Sequence, residues 1–490
     1  MTLQIFNVLG REKQPFEPLE EGRVGMYVCG PTVYDHPHLG HAKTYVNFDM
    51  VTRWLRYSGY KVLYVQNITD VGHLTDDADM GDDKILKRAK ERQSVPMALV
   101  ETYARSYFED MDRLNVQRPD ISPRASGHVP EQIKMTEALL EKGYAYAVNG
   151  SVYFDVLKAA DSYGKLSNRR LDQQEAGKRD TIRGEKRNPE DFALWKRAEE
   201  NHILRWDSPW GEGFPGWHIE CSAMAKKYLG ATFDIHGGGI DNIYPHNENE
   251  IIQSECANDA DFAKYWMLVG SLTIDGAKMS KSLFNFITVK DALKHNRPEV
   301  LRMFALSAHY SNPVDYSEQA MDDVRTGWER LYGAVQLVRQ RMQSAEENDA
   351  GNSFLERLQT IRHDFKEVMD DDFGAPRAVA ILQGLRRDVN QLLLEHSEPD
   401  SIGLNVLGAI NQVFNDLGGE VLGIIPTLDE SSSSEGDAER EDALIQMLIE
   451  MRARARTEKN YAESDRIRDE LARIGIVLED RPDGTIWKLG

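Results

Sequence analysis

Two rhythms of apolar residues divide the chain. Up to about residue 317, short apolar runs alternate with three- and four-residue periodicities; from about Glu318 onward the helical periodicity stands almost alone. The first clear run, Val24 to Val28, lies between Gly22 and Gly30-Pro31 and reads as a buried strand. Leu39, Ala42, Val46, Met50 and Trp54 then predict a helix that stops near Ser58-Gly59. Lys61 to Gln66 follows as a second strand, so strand, helix and strand make a βαβ unit, nearly always right-handed. Leu3 to Val8 reads as a lead-in strand.

Further on, helical patterns run from Asp83 to about Leu114 and from Val129 to Lys142. Tyr144 to Val156 alternates and turns at Asn149-Gly150, a hairpin signal. A nucleotide-type α/β pattern resumes near Gly213, with a helix at Trp217 to Leu229, a strand at Ala231 to His236, a helix opened by Pro245 and a strand near Met267 to Leu272. Residues 118–212 therefore read as an insertion between its two halves. Beyond Glu318, four helical patterns (Asp322–Arg341, Asn352–Asp370, Ala375–Glu395 and Ile402–Leu417) predict an antiparallel bundle. Asp429 to Asp437, DESSSSEGD, reads as a flexible linker. Ala443 to Ile474 predicts one or two basic helices, closed by a β pair across Pro482-Asp483-Gly484. The expected domains are 1–317 with a mobile loop at 274–286, a bundle at 318–428, a linker at 429–441 and a small α+β domain at 442–490.

Composition narrows this picture. With 490 residues and 41% hydrophobic content the chain can build several cores. It has no run of about 18 apolar residues and no basic start before an apolar stretch, so neither a membrane span nor a signal peptide is expected. Three cysteines fit a reducing, cytoplasmic setting better than a disulfide framework. The net charge of −21 excludes a general nucleic-acid binder and requires that any RNA contact be locally basic.

The chemistry gathers where the strands end. His38 and His41, with Gly40 between them, fall in the first turn of the predicted helix, where free N–H groups and the helix dipole favour an anion. Cys29 ends the first strand and Asn67 and Thr69 follow the second. Cys29, Cys221, His246 and Glu250 form a reasonable zinc set, the last two sharing a helix face. Spacing alone leaves this open, since Cys29 and Cys221 are far apart and buried cysteines are commonly inert. His73 to Asp83 reads as a solvated acidic loop, with a magnesium role as the lesser reading.

His38-Leu39-Gly40-His41 resembles the HIGH signature of class I aminoacyl-tRNA synthetases. With Lys278-Met279-Ser280-Lys281-Ser282 (the KMSKS pattern), WHIECSAM at 217–224 and FDIHGGGIDNIYPHNENE at 233–250, the chain resembles the cysteinyl-tRNA synthetases. YVCGPTVYD, PRASGHVPEQI (123–133), DDDFGAPRA (370–378) and GIVLEDRPDGTIW (475–487) extend the likeness over most of its length. The resemblance implies a Rossmann-like class I catalytic domain with an inserted connective domain, an all-α bundle and a small anticodon-reading domain. It implies a monomer that uses ATP with Mg2+ to activate L-cysteine and transfers it to tRNA-Cys, with one Zn2+ on Cys29, Cys221, His246 and Glu250. His38, His41, Lys278 and Lys281 would be catalytic. Gly40, Gly238, Gly239, Asp241, Ser280 and Ser282 would join them around ATP. Thr32, Thr69 and Trp217 would face the substrate cysteine, and Arg452, Arg454, Arg456 and Trp487 the tRNA.

Two departures stand out: Asn247 where the family often has a second histidine, and a lengthened acidic segment at 72–83. An alternative is a related ligase joining cysteine to a small amine or amino-sugar. The long tail after Glu318 argues against it, and intact HIGH and KMSKS patterns argue against a non-catalytic RNA-binding relative.

Overall fold

The computed structural model describes all residues except 1, 72–73, 77–79, 170–184, 200–201, 203, 280–284, 397–401, 427–434, 482–483 and 490. The chain divides into two compact units, Met1–Ile425 and Pro426–Gly490.

In the first unit, β1 (Gln4–Asn7) and β2 (Glu12–Pro15) form a hairpin ahead of β3 (Arg23–Val28), α1 (Leu39–Tyr57) and β4 (Lys61–Gln66). β3 and β4 pair in parallel from Arg23↔Lys61 to Val28↔Gln66, as a crossover helix between them requires. Part of the acidic stretch expected as a loop forms a strand pair, β5 (Leu74–Asp76) with β6 (Met80–Asp83). The long helix expected after it is two, α2 (Lys84–Glu91) and α3 (Pro96–Arg113), because Pro96 cannot continue a helix but serves at the start of the next.

The insertion follows with α4 (Val129–Glu141), β7 (Ala145–Val148), β8 (Ser151–Phe154), β9 (Phe192–Arg197) and β10 (Gly213–Pro215). These strands make an antiparallel sheet in the order β10-β9-β8-β7, turning at Asn149-Gly150, where both residues have positive φ. The chain returns through α5 (Trp217–Leu229), β11 (Phe233–Gly239), α6 (Glu248–Asn258) and β12 (Ala263–Val269). The central sheet is then β12-β11-β3-β4, all parallel, with its order reversing between β3 and β11. Ligands bind outside the carboxyl ends of such strands, at the reversal.

β13 (Leu272–Ile274) and β14 (Ala277–Lys278) carry the chain to Met279, and β15 (Val314–Tyr316) pairs with β13 after α7 (Val289–His295) and α8 (Pro298–Ala305). The bundle is α9 (Glu318–Met342), α10 (Phe354–Asp370), α11 (Ala375–Glu395) and α12 (Leu404–Val413), the last running into a π-helical stretch to Val421.

α1 departs from the amphipathic helix its periodicity predicts. Lys43, Asn47, Asp49, Thr52 and Arg53 are as buried as its apolar stripe. Each has a partner that offsets the loss of water: Thr52 bonds to Phe48 O, Asn47 to Ala305 O and Arg53 to Asp49. A helix surrounded by sheet, α8 and bundle is polar inside wherever those neighbours offer hydrogen-bond partners.

The second unit comprises α13 (Glu435–Thr457), α14 (Tyr461–Arg473) and the hairpin β16 (Ile476–Arg481) with β17 (Gly484–Leu489). Its core is Ile445, Ile449, Ile467, Leu471 and Ile476, with Trp487 packed against it. Helix α13 begins at Glu435, inside the stretch that reads as linker.

Candidate active site

A cavity of about 460 Å³ opens at the carboxyl ends of β3, β4 and β11. His38, Gly40 and His41 line one side; Cys29, Cys221 and His246 line another; Thr32, Thr69 and Trp217 lie on its wall. Backbone packing at its floor explains one glycine that periodicity does not: a Cβ on Gly30 would sit 1.5 Å from the carbonyl oxygen of Asn67. That close approach lets Gly30 N–H donate to Asn67 Oδ1 at 2.7 Å and joins the ends of β3 and β4.

The two imidazoles cap each other. His38 is the N-cap of α1 and His41 its third residue. The backbone N–H of His41 donates to His38 Nδ1 at 3.3 Å and that of His38 to His41 Nδ1 at 3.2 Å, a capping box built from histidines. With each Nδ1 accepting, each neutral ring carries its hydrogen on Nε2. The rings stack with centroids 3.8 Å apart. Burial, and then the neighbouring His38, hold His41 well below the ordinary histidine value. A Cβ at Gly40 would lie 2.9 Å from the His38 ring, so glycine there keeps the stack undisturbed.

The second cluster is sulfur-bearing. Donor atoms of Cys29, Cys221, His246 and Glu250 all lie within 4.8 Å of one another, and all four residues are buried. Cys29 Sγ is 3.6 Å from Glu250 Oε1, Cys221 Sγ 3.6 Å from His246 Nε2, and His246 Nε2 2.9 Å from Glu250 Oε1. Tetrahedral ligands at zinc bond lengths stand roughly 3.3–3.8 Å apart, so the donor set suits that ion. The hydrogen bond with Cys29 holds the Cys221 thiol below its ordinary value despite burial, while the same bond raises Cys29. His246 is not on the regular helix with Glu250; it sits in a π-helical turn, Ile243–Asn247, that leads into α6 after the cis Tyr244-Pro245 bond.

A ring of partners holds these donors. His236 Nε2 is 2.8 Å from Glu250 Oε2 and its ring stacks on Trp266. Asn247 Nδ2 donates to Glu250 Oε1 at 3.0 Å and approaches Cys29 Sγ at 3.7 Å, so an amide stands where the sequence departs from the family pattern. Trp217 stacks on His246 with centroids 4.1 Å apart, and His218 Nδ1 meets His246 Nδ1 at 3.0 Å. Thr69 Oγ1 donates to buried Glu220 at 3.1 Å. His218, Glu220, His236 and Lys43 give no sign of themselves in the sequence, since a polar residue inside an apolar pattern carries no local mark of its partner.

Gly239 and Asp241 line the cavity, and Gly238 lies one residue before Gly239 on β11. Lys278 reaches Asp241 Oδ1 at 3.7 Å, both largely exposed, a weak pair that a phosphate can displace. Ser280, Lys281 and Ser282 lie outside the described residues. In the second unit Arg454 and Arg456 are exposed and Trp487 is half-buried, whereas Arg452, grouped with them by sequence, is buried at 6% exposure. It points into the small core because Ile445, Ile449 and Arg452 follow one another at helical spacing.

Comparisons with known proteins agree along the whole chain. The family model described as tRNA synthetases class I (C) catalytic domain matches residues 15–326, the DALR domain 364–426, and the Cysteinyl-tRNA ligase anticodon binding domain 440–487. The cysteine–tRNA ligase of Chlorobium luteolum is 49% identical over 491 residues, 99% of each chain. Those of Deinococcus radiodurans (47%, covering 99% of this chain and 97% of that protein) and Thermus thermophilus (46%, 100% of each) are similar. Among solved structures, Mycobacterium tuberculosis methionyl-tRNA synthetase with methionyl-adenylate shares the fold at TM-score 0.57 and 14% identity, over 82% of this chain and 92% of that one. The Agrobacterium radiobacter LeuRS–tRNA–LeuAMS complex does so at 0.59 and 12%, over 85% and 88%.

Proposed function

The chain belongs to the cysteine–tRNA ligase family, and from that premise we propose how its residues carry the two-step reaction. A carboxylate oxygen of L-cysteine attacks the α-phosphorus of ATP; the bond to the β-phosphate breaks and pyrophosphate leaves. A ribose hydroxyl at the 3′ end of tRNA-Cys then attacks the carbonyl carbon of the adenylate, and AMP leaves with the bonding electrons.

The observation that carries this reading is that the paired imidazoles and the thiol cluster open onto one cavity. The Nε2–H groups of His38 and His41 donate to the phosphate oxygens as charge develops, at a helix start that already favours an anion. Lys278 and Lys281 neutralise the outer phosphates, with Ser280 and Ser282 as further donors and Mg2+ accompanying ATP. Gly40, Gly238 and Gly239 leave the nucleotide room, and Asp241 accepts from its ribose. Thr32, Thr69 and Trp217 bound the amino-acid side, Trp217 by packing over His246.

Cys29, Cys221, His246 and Glu250 would hold zinc. Zinc there supplies a soft centre that a substrate thiolate ligates far better than a serine hydroxyl does. The protein's part is to hold the four donors in place through His236, His218 and Asn247. Arg454, Arg456 and Trp487 face the tRNA from the second unit. Residues 1–317 act as the catalytic domain, 318–428 as a stem-binding bundle and 442–490 as the anticodon-binding domain of a cytoplasmic monomer. Among the described residues no helix is long and apolar enough to cross a membrane. The full-length match, tail included, favours tRNA over a small amine as acceptor.

ATP–pyrophosphate exchange with cysteine against serine, with zinc content on the same sample, tests the reading. Exchange with cysteine alone, about one zinc per chain, and loss of both in Cys221→Ser are expected. A folded, zinc-loaded protein without cysteine-dependent exchange would overturn it.

A further inference from the structure

A chain of net charge −21 that works on RNA needs positive charge where the RNA enters. Residues 84–92, KILKRAKER, hold five cations and one acid, against the net acidity of the chain. They form α2 and its end, beside the cavity rather than in the second unit. Ile85 and Ala89 are buried, Lys87, Lys90 and Arg92 are exposed, and Arg88 is half-buried.

Arg88 fixes the helix to the rim: its Nη2 meets Asp35 Oδ2 at 3.0 Å, and Asp35 and His36 line the cavity. His36 is itself held, by Ser106 Oγ at 2.6 Å and by the edge of Tyr103. Burial first, then Lys290, Arg92 and Arg88, hold His36 below its ordinary value, so these cations bear on the rim together. Lys290 is engaged with Glu109 at 3.3 Å. Lys87, Lys90 and Arg92 make no ion pair with a described residue. That is unlike Arg105, Arg118, Lys142, Lys165 and Lys227 elsewhere in this unit, each of which has a carboxylate. Exposed cations without a carboxylate among the described residues, in so acidic a chain, are available to a polyanion.

We propose that Lys87, Lys90 and Arg92 bind the phosphate backbone of the single-stranded 3′ end of the tRNA as it crosses the rim toward the adenylate. This rests on the cavity being the site of aminoacyl transfer. The terminal ribose must reach the space between the imidazole pair and Trp217, so the nucleotides before it pass over the rim. ATP and cysteine, held inside, do not touch these three side chains. The contact is to backbone, so it adds affinity and register without reading sequence.

The test is the triple charge reversal K87E/K90E/R92E, with K87Q/K90Q/R92Q beside it, on the full-length zinc-loaded protein. The expected result is ATP–pyrophosphate exchange within about twofold of wild type and a KM for tRNA raised at least about tenfold. The salt dependence of log kcat/KM for tRNA should become shallower by about 2, at roughly 0.7 for each single-strand phosphate that is no longer neutralised. A minihelix bearing only the acceptor arm should be impaired as much as whole tRNA. Charging unchanged in both variants overturns the proposal; so does a parallel loss of exchange, which would move these residues to adenylate formation. Absence of exchange in the wild type is a different failure, that of the function itself.

Discussion

The Lys43 ammonium lies 2.7 Å from the carbonyl oxygen of Gly270. It also meets Asn312 O at 2.6 Å and Ser271 O at 3.2 Å, and it is buried. Gly270 and Ser271 line the cavity between β12 and β13, so a cation on the second turn of α1 sets the wall opposite the imidazole pair. Lys43→Met leaves the carbonyls of Gly270 and Asn312 without this donor, while Ser271 O keeps the backbone N–H of Val314, at about 1–3 kcal/mol for each unsatisfied group. The variant should melt earlier and its KM for ATP should rise more than its KM for cysteine. Burial pushes the ammonium down to about 8. In the wild type, then, the KM for ATP should climb from pH of about 7.5 to about 9, and Lys43→Met should lack that climb. A destabilised variant with unaltered KM for ATP would confine Lys43 to folding.

The mutual cap of His38 and His41 separates two duties of one ring. Nδ1 accepts from the backbone, and Nε2–H remains for a phosphate. Asparagine reproduces the first duty, being a good N-cap, but not the second. His38→Asn should therefore keep the melting temperature of the wild type while exchange falls on the order of 10²–10³-fold, the usual cost of one transition-state donor. His38→Ala should lose exchange and, in addition, about 1 kcal/mol of stability. Equal stability losses in both variants would show that capping is not what Nδ1 does. Because His41 is held neutral by burial, exchange should not fall between pH of about 6.5 and 8 through its titration.

Much of the fold is legible in the chain because it depends on local signals. Gly30-Pro31 after a β run, Asn149-Gly150 and Ser58-Gly59 each mark a turn by backbone preference alone. Residues brought together by topology are not legible from spacing: Cys29 and Cys221 become a pair in the sequence only through resemblance, and the structure places them by packing α5 against β3. Where the expectation fails, a third element intervenes. Arg452 turns inward because α14 and the hairpin cover that face of α13. The polar residues of α1 are inside because α8 and the bundle close over them. His246 and Glu250 do meet at i,i+4, 2.9 Å apart, but His246 sits in a π-helical turn ahead of the regular helix.

Asp110 on α3 is fully buried, and neither carboxylate oxygen has a hydrogen-bond partner among the described residues. Burial raises its pKa from 3.8 to about 6, against the pull of Lys290 and Arg113. The folded state thus binds this proton more tightly than the unfolded chain. The stability it gives is complete below a pH of about 4 and is lost as pH rises through about 6. Asp110→Asn should be more stable than wild type at pH 7.5, by on the order of 1–3 kcal/mol, and the two should converge toward pH of about 4. Denaturant melts across that range check it; a variant less stable than wild type at every pH would mean that the carboxylate has a partner worth more than its burial costs.

Arg302 of α8 joins α1 to the bundle. Its guanidinium pairs with Asp49 of α1, donates to Leu422 O at 2.6 Å, and reaches the carbonyls of Leu114 and Asn115 at 3.2 and 2.9 Å. Asp49 is shared with Arg53 at 2.7 Å and accepts from Gln117 N–H at 2.9 Å. Two arginines and one carboxylate, all buried, are held only because every donor finds an acceptor. Arg302→Met keeps the volume but strands the carbonyls of Leu422 and Leu114 and leaves Asn115 O and Asp49 to Arg53 alone among the arginines, and should cost about 3–5 kcal/mol. Arg302→Lys keeps the charge without the fork and should recover only part of that. Asp49→Asn with Arg302→Met should be less damaging than the sum of the two, by at least about 1 kcal/mol in a double-mutant cycle. Additivity within about 0.5 kcal/mol would mean that Arg302 holds the bundle through its carbonyl bonds alone. In that case Asp49 belongs with Arg53, and the polar links from α1 to the bundle would be Arg53, which donates to Glu420 O at 2.9 Å, and Trp54, whose indole N–H donates to Asp370 at 3.2 Å.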